Sequence, residues 1–176
     1  MLTLVGLSGT GKTTIARMLS ERWGWVCADL DSQVEDQAGC SIPEIFARDG
    51  EPTFRAMEST QLNRALGQEK VVVAAGGGAP CEPGAMDSIL EAGPCIWLSA
   101  LPQTLALRVT ESEERPLLAA ADPDAVVAHL ADQLSQRQDI YTRAPFVIDT
   151  DGRMPLEVVE AIEALLQAEG TGPWAP

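Results

Sequence analysis

Eight residues near the start restrict this chain more than any other feature. Gly6-Leu7-Ser8-Gly9-Thr10-Gly11-Lys12-Thr13 matches G-x-x-x-x-G-K-[ST], and Thr14 follows. The run comes directly after apolar residues 2–5 and opens into Ile15, Met18 and Leu19, which have helical spacing. In a strand–turn–helix setting, glycines let backbone N–H groups converge on phosphate oxygens, and the helix N-terminus adds partial positive charge. Gly9, Thr10, Gly11, Lys12, Thr13 and Thr14 are therefore the expected nucleotide-binding residues. Lys12 offers a point charge to the outer phosphates, and the Thr13 hydroxyl can ligate Mg²⁺. ATP and GTP fit equally well at this level.

The rest of the chain alternates between strand-length apolar runs and helix-length periodic segments. Residues 2–5, 25–28, 71–75, 95–98 and 146–148 read as five buried strands. Amphipathic stretches lie between them, among them residues 124–141 and the series Val158, Val159, Ile162, Leu165, Leu166. Pro52 and Pro155 sit where a first helical turn accepts proline. This alternation predicts an α/β three-layer sandwich with a central five-stranded parallel sheet. Its 176 residues suit a single domain over residues 1–169. Residues 110–121 read as a mobile loop and residues 170–176 as a flexible tail, in which Trp174 could dock or stay exposed.

Charge narrows the function. Twelve Lys and Arg stand against 26 Asp and Glu, a formal net charge of −14. Such a surface repels phosphate backbones, which argues against nucleic-acid or anionic-membrane binding. Cys27, Cys40, Cys81 and Cys95 are widely spaced and form no metal motif, so free thiols in a reducing compartment are expected. No secretory leader or membrane-spanning run is visible, so the expected location is the cytoplasm. The expected state is a monomer acting on small molecules. His129, the single histidine, reads as a partly exposed helical residue and not as a base.

Candidate acceptor residues come next. Asp29-Leu30-Asp31 closes the second strand, and extended geometry would put both carboxylates on one face. One could serve a metal ion and the other an acceptor hydroxyl; an ordinary helix cap by Asp31 is the alternative. The third strand ends in Gly76, Gly77 and Gly78 without the usual metal-organising Asp, which leaves Asp29 as the candidate metal residue beside Thr13. Arg55 and Glu58 are spaced for a simple surface ion pair. Arg137 is different, because Leu130, Leu134, Arg137 and Tyr141 share one apolar stripe. An inward guanidinium needs a partner, either a bound carboxylate or an internal acid.

Taken in order, these segments resemble the shikimate kinase family from about residue 2 to residue 166. The selective matches are Asp29-Leu30-Asp31, Ser41-Ile42-Pro43-Glu44-Ile45-Phe46, Gly50-Glu51-Pro52-Thr53-Phe54-Arg55 with Glu58, and Gly76-Gly77-Gly78-Ala79. Arg115-Pro116-Leu117-Leu118, Arg137 with Tyr141, and Ile148-Asp149-Thr150 complete the series. The resemblance implies a P-loop kinase fold with a lid at about 110–121 and an acceptor region at about 31–62. It also implies a reaction: Mg²⁺-dependent transfer of the ATP γ-phosphoryl group to the shikimate 3-hydroxyl, in chorismate and aromatic amino-acid biosynthesis. On that basis Asp31, Arg55, Gly76, Gly77, Gly78 and Arg137 would hold shikimate, with Phe46, Phe54 and Glu58 shaping the pocket. Lys12, Asp31 and Arg115 would be catalytic, Arg115 as a lid residue. Arg108 and Arg153 would flank the adenine. The acidic run Glu111-Ser112-Glu113-Glu114 departs from the family pattern and would bear on lid closure.

Overall fold

A computed structural model describes residues 1–110 and 122–171. The five predicted strands form β1 (Leu2–Val5), β2 (Val26–Asp29), β3 (Val71–Ala74), β4 (Cys95–Ser99) and β5 (Phe146–Asp149). All pair in parallel, in the order β2-β3-β1-β4-β5. The observed bounds differ from the predicted ones by a residue or so at several ends, because the ladder and not apolarity defines a strand.

Around the sheet lie α1 (Lys12–Trp23), α2 (Leu30–Ala38), α3 (Ile42–Leu66), α4 (Ala85–Ala92), α5 (Pro102–Thr110), α6 (Pro123–Tyr141) and α7 (Pro155–Ala168). A 3₁₀ turn, Ala79–Cys81, follows β3. Alternation along β1 divides the core in two. Leu2 and Leu4 face Ile15, Leu19, Val159 and Ile162 of α1 and α7. Val5 faces the opposite layer, with Leu62, Ile89, Leu105, Leu130 and Tyr141. Every residue of β1 and β3 is buried, as strands covered on both faces require. The edge strands β2 and β5 leave Val26 and Val147 about half exposed.

A smaller apolar cluster, Val34, Ile45 and Phe54, joins α2 to α3 away from the main core. Inside α3 the backbone breaks at Gly50 (φ 78°, ψ 169°), a conformation that a side chain would strain. The helix restarts there, so Pro52 does occupy a first turn. Ile45 before the break and Phe54 after it both pack with Val34 of α2, and Leu62 and Ala65 further along α3 join the main core.

The order of the strands fixes where a ligand can sit. β1 and β3 are neighbours, but the connection after β1 runs to one side, to β2, and the connection after β3 runs to the other, to β4, which opens a crevice at their carboxyl ends. The glycine-rich run follows β1, Asp29 ends β2, and Gly76–Gly78 follow β3. Among the described residues, no helix is long and apolar enough to cross a membrane.

Candidate active site

The phosphate-binding loop passes from β1 to α1 around a cavity of about 360 Å³. Gly9 through Thr14 line it, together with Asp29, Asp31, Arg108 and Arg153. Thus every described residue expected to bind nucleotide or metal reaches one space. Gly11 caps α1 in the left-handed region, which leaves the first N–H groups of the helix directed at the cavity. Lys12 Nζ donates to the carbonyls of Gly6 and Leu7, both at 2.8 Å, which holds the ammonium against the loop.

Thr13 Oγ1 donates to Asp29 Oδ2 at 2.5 Å, joining the loop to the end of β2. Asp29 also accepts from the Ser32 backbone N–H at 3.2 Å and so caps α2. This corrects the expectation that both acids close a strand. The strand stops at Asp29, which is the helix cap offered as the alternative for Asp31, and Asp31 is helical. The two carboxylates still line one cavity, but the turn of a helix brings them there, not a shared strand face.

Arg108 is half-buried and ties two loops together. Its Nη2 donates to the Thr150 carbonyl at 2.6 Å, and Nη1 donates to Thr150 Oγ1 at 3.0 Å and to the Gly9 carbonyl at 3.4 Å. Arg153 is exposed at the cavity margin.

A second cluster forms around the three glycines. A Cβ at Gly78 would lie 2.5 Å from Arg55 Nη1, and one at Gly77 would lie 3.3 Å from Arg137 Nη1. A Cβ at Gly76 would lie 2.6 Å from Asp31 Oδ1 and would also strike Glu58. The same point on Gly77 is 3.6 Å from the Ser8 nitrogen in the phosphate-binding loop. Three bare Cα atoms therefore let two guanidinium groups and two carboxylates meet beside that loop.

Glu58 is 1 % exposed, so its pair with Arg55 at 2.6 Å is an internal brace and not the surface ion pair its spacing allows. Burial pushes the Glu58 carboxyl above the usual range. Arg55 opposes that shift, and the charges of Asp31 and Glu82 add to it. Burial disfavours the Arg55 charge, but the hydrogen bonds it donates to Glu58 and Glu51, with their charges, outweigh it and hold its pKa above the ordinary value. Arg137 is half-buried, and its charge lies close enough to the Tyr141 phenol to oppose the upward pull of burial on it; among the described residues no acid pairs with Arg137. Phe46 and Phe54 pack in a tilted pair with ring centroids 4.8 Å apart, Phe54 buried and Phe46 38 % exposed. Arg115 and all but the first residue of the expected lid lie outside the described residues, as does Trp174.

Glu82 escaped the sequence reading, and Tyr141 and Thr150, though part of the family series, were given no role there. Glu82 approaches Arg55 Nε at 3.5 Å from beyond the glycines, a tertiary contact with no local signature. Tyr141 donates to the Gly77 carbonyl across the fold. Thr150 links Arg108 to the Ser99 carbonyl.

The family model for shikimate kinase matches residues 8–167. This chain belongs to the shikimate kinase family. A shikimate kinase from Parasynechococcus marenigrum (strain WH8102) is 42 % identical over 94 % of this chain and 85 % of the relative. A shikimate kinase from Acinetobacter baumannii, solved in complex with shikimate, superposes with a TM-score of 0.87 at 30 % identity, covering 96 % of this chain and 93 % of that one. The Bacteroides thetaiotaomicron shikimate kinase gives the same TM-score at 27 % identity, over 94 % and 97 % of the two chains.

Proposed function

We propose that this protein transfers the γ-phosphoryl group of ATP to the 3-hydroxyl of shikimate, giving shikimate 3-phosphate and ADP. The observation that carries this reading is the convergence of Arg55, Arg137 and Asp31 on the Gly76–Gly78 run, within contact distance of the phosphate-binding loop. A small hydroxy-acid suits that arrangement. Arg55 and Arg137 offer planar donor sets for its carboxylate, and the bare glycines let its ring approach the main chain. Asp31 lines both the nucleotide cavity and the acceptor cluster, so the attacking hydroxyl would lie between them. From there Asp31 orients the hydroxyl and accepts its proton as the P–O bond forms.

Loose phosphoryl transition states ask mainly for alignment and charge neutralisation. The loop N–H groups and Lys12 hold the β- and γ-phosphates, Arg108 and Arg153 flank the base, and Arg115 comes from the lid at about 110–121. The acceptor region at about 31–62 supplies Asp31, Arg55, Glu58, Phe46 and Phe54.

The donor set beside the loop fits Mg²⁺. It is one hydroxyl and one carboxylate, Thr13 and Asp29, in contact with each other. Among the described residues no group of three or more His, Cys, Asp or Glu could hold a metal. That suits an ion bound mostly by nucleotide oxygens and water. When bound, it would neutralise charge on the transferring group. We place the protein in the cytoplasm as a monomer; its four free cysteines fit a reducing compartment.

The test is ADP release from Mg-ATP with and without shikimate, with the product located by phosphorus NMR. Shikimate-dependent ADP and a phosphate ester on the 3-oxygen are expected. ADP release indifferent to shikimate would reduce the reading to a P-loop ATPase.

A further inference from the structure

Arg55 is contacted by three carboxylates, more than an arginine kept for an acceptor carboxylate requires. Its Nη1 donates to buried Glu58 at 2.6 Å. The opposite edge is engaged as well: Nη2 and Nε donate to one oxygen of Glu51 at 3.1 and 3.3 Å, and Glu82 lies 3.5 Å from Nε. These acids are not equivalent. The Glu58 side chain is 2 % exposed, so it cannot leave without stranding a buried charge. The side chains of Glu51 and Glu82 are 62 % and 38 % exposed and can swing into water at little cost. They also arrive from separate elements, Glu51 from the restart of α3 and Glu82 from just after the 3₁₀ turn that follows the glycines.

We propose that Glu82, with Glu51, is an affinity-setting residue that occupies Arg55 in place of the acceptor carboxylate, so that acceptor binding is an exchange of carboxylates on one guanidinium. This rests on the reading that Arg55 grips the acceptor. Glu58 stays as the fixed brace. Glu51 gives up the donor edge, and Glu82 remains close enough to repel the incoming carboxylate. The pocket is thereby kept ordered while empty, and its affinity for a monoanion is held below what two arginines alone would give. Acceptors with a second negative charge at that end are penalised again.

The experiment measures the shikimate Kd by calorimetry and the KM of each substrate for Glu82→Gln, Glu82→Asp, Glu51→Gln, the double glutamine variant and Arg55→Ala. At contact separations in partly solvated surroundings, removing one repelling charge is worth about three- to tenfold in affinity. Glu82→Gln should tighten shikimate by that factor with the ATP KM moving less than twofold, and the double variant should tighten it further. Glu82→Asp, which keeps the charge, should stay near wild type. Unchanged or weaker shikimate binding in both Glu82→Gln and the double variant, with Arg55→Ala still at least tenfold weaker, overturns the exchange alone. An Arg55→Ala variant with unaltered shikimate Kd overturns the exchange and the assigned role of Arg55 together.

Discussion

The Tyr141 phenol, at the inner end of α6, donates its hydrogen bond to the carbonyl of Gly77, the residue against which Arg137 lies. Tyr141 is fully buried and packs against Trp97 at 5.9 Å, while Gly77 is only partly buried. Tyr141→Phe keeps the ring and removes the donor to that carbonyl. Losing a hydrogen bond of this kind costs about 0.5–1.5 kcal/mol. For a chain of this size that lowers Tm by roughly 1–6 °C. The shikimate KM should rise as well, because Gly77 and Arg137 lose a shared support, while the ATP KM holds. A thermal melt with paired KM values checks both.

Arg137→Ala should act on the acceptor alone. No acid among the described residues pairs with Arg137, so its removal strands no internal charge and Tm should shift little. Losing a charged hydrogen-bond donor to a carboxylate is worth about 1.5–3 kcal/mol, or roughly 10- to 150-fold in shikimate KM. An unaltered shikimate KM would refute its assigned role.

Gly78→Ala tests the close approach directly. The new methyl would sit 2.5 Å from Arg55 Nη1 and 2.9 Å from Cζ and Nη2. The guanidinium must retreat, and its pair with buried Glu58 goes with it. Shikimate affinity should fall at least tenfold, a loss of about 1.4 kcal/mol. Nucleotide binding should hold, since Gly78 is not part of the nucleotide cavity. Tryptophan-monitored nucleotide titration beside shikimate calorimetry separates the two.

What could be read in the sequence was what depends on neighbours in the chain. The strand preceding Gly6, the periodicity of residues 124–141 and the glycine run after residue 75 each report local backbone needs, and each lies where expected. The misplacement of Asp31 shows the limit. Alternation along a strand predicts its direction only while the strand lasts, and one early helical turn replaces that logic. Glu82 marks a second limit. Its partner, Arg55, is 27 residues away, and only the packing of α3 against the turn after β3 brings them together. Spacing alone could propose Glu58 as a partner for Arg55, yet could not tell a solvated pair from a buried one.

Burial of Glu58 has a consequence for pH. Its folded pKa lies above its unfolded value of about 4.3, so the native state binds more protons between the two. Its contribution to stability is therefore fully present below about pH 4.3 and is lost as pH rises through the folded value. Glu58→Gln does not titrate and lacks that slope. Denaturant melts of both proteins from pH 4 to 7 should show wild-type stability falling relative to Glu58→Gln as pH rises. A constant or growing wild-type advantage would contradict the raised pKa.

Asp29 performs two tasks that one pair of substitutions can separate. Its carboxylate accepts from Thr13 at the proposed metal position and also caps α2 through the Ser32 N–H. Asn retains an oxygen that can cap, so Asp29→Asn should keep stability within about 0.5 kcal/mol. It loses the negative charge that favours a divalent ion, so half-maximal activity should need several-fold more Mg²⁺. Asp29→Ala loses both functions. It should show the same Mg²⁺ requirement and a further stability loss of about 1 kcal/mol. Mg²⁺ titrations of ADP release and urea melts of the two variants would show the tasks separating. Equal stability of Asn and Ala variants would mean that the cap contributes nothing, and an unchanged Mg²⁺ requirement in both would remove Asp29 from the metal site.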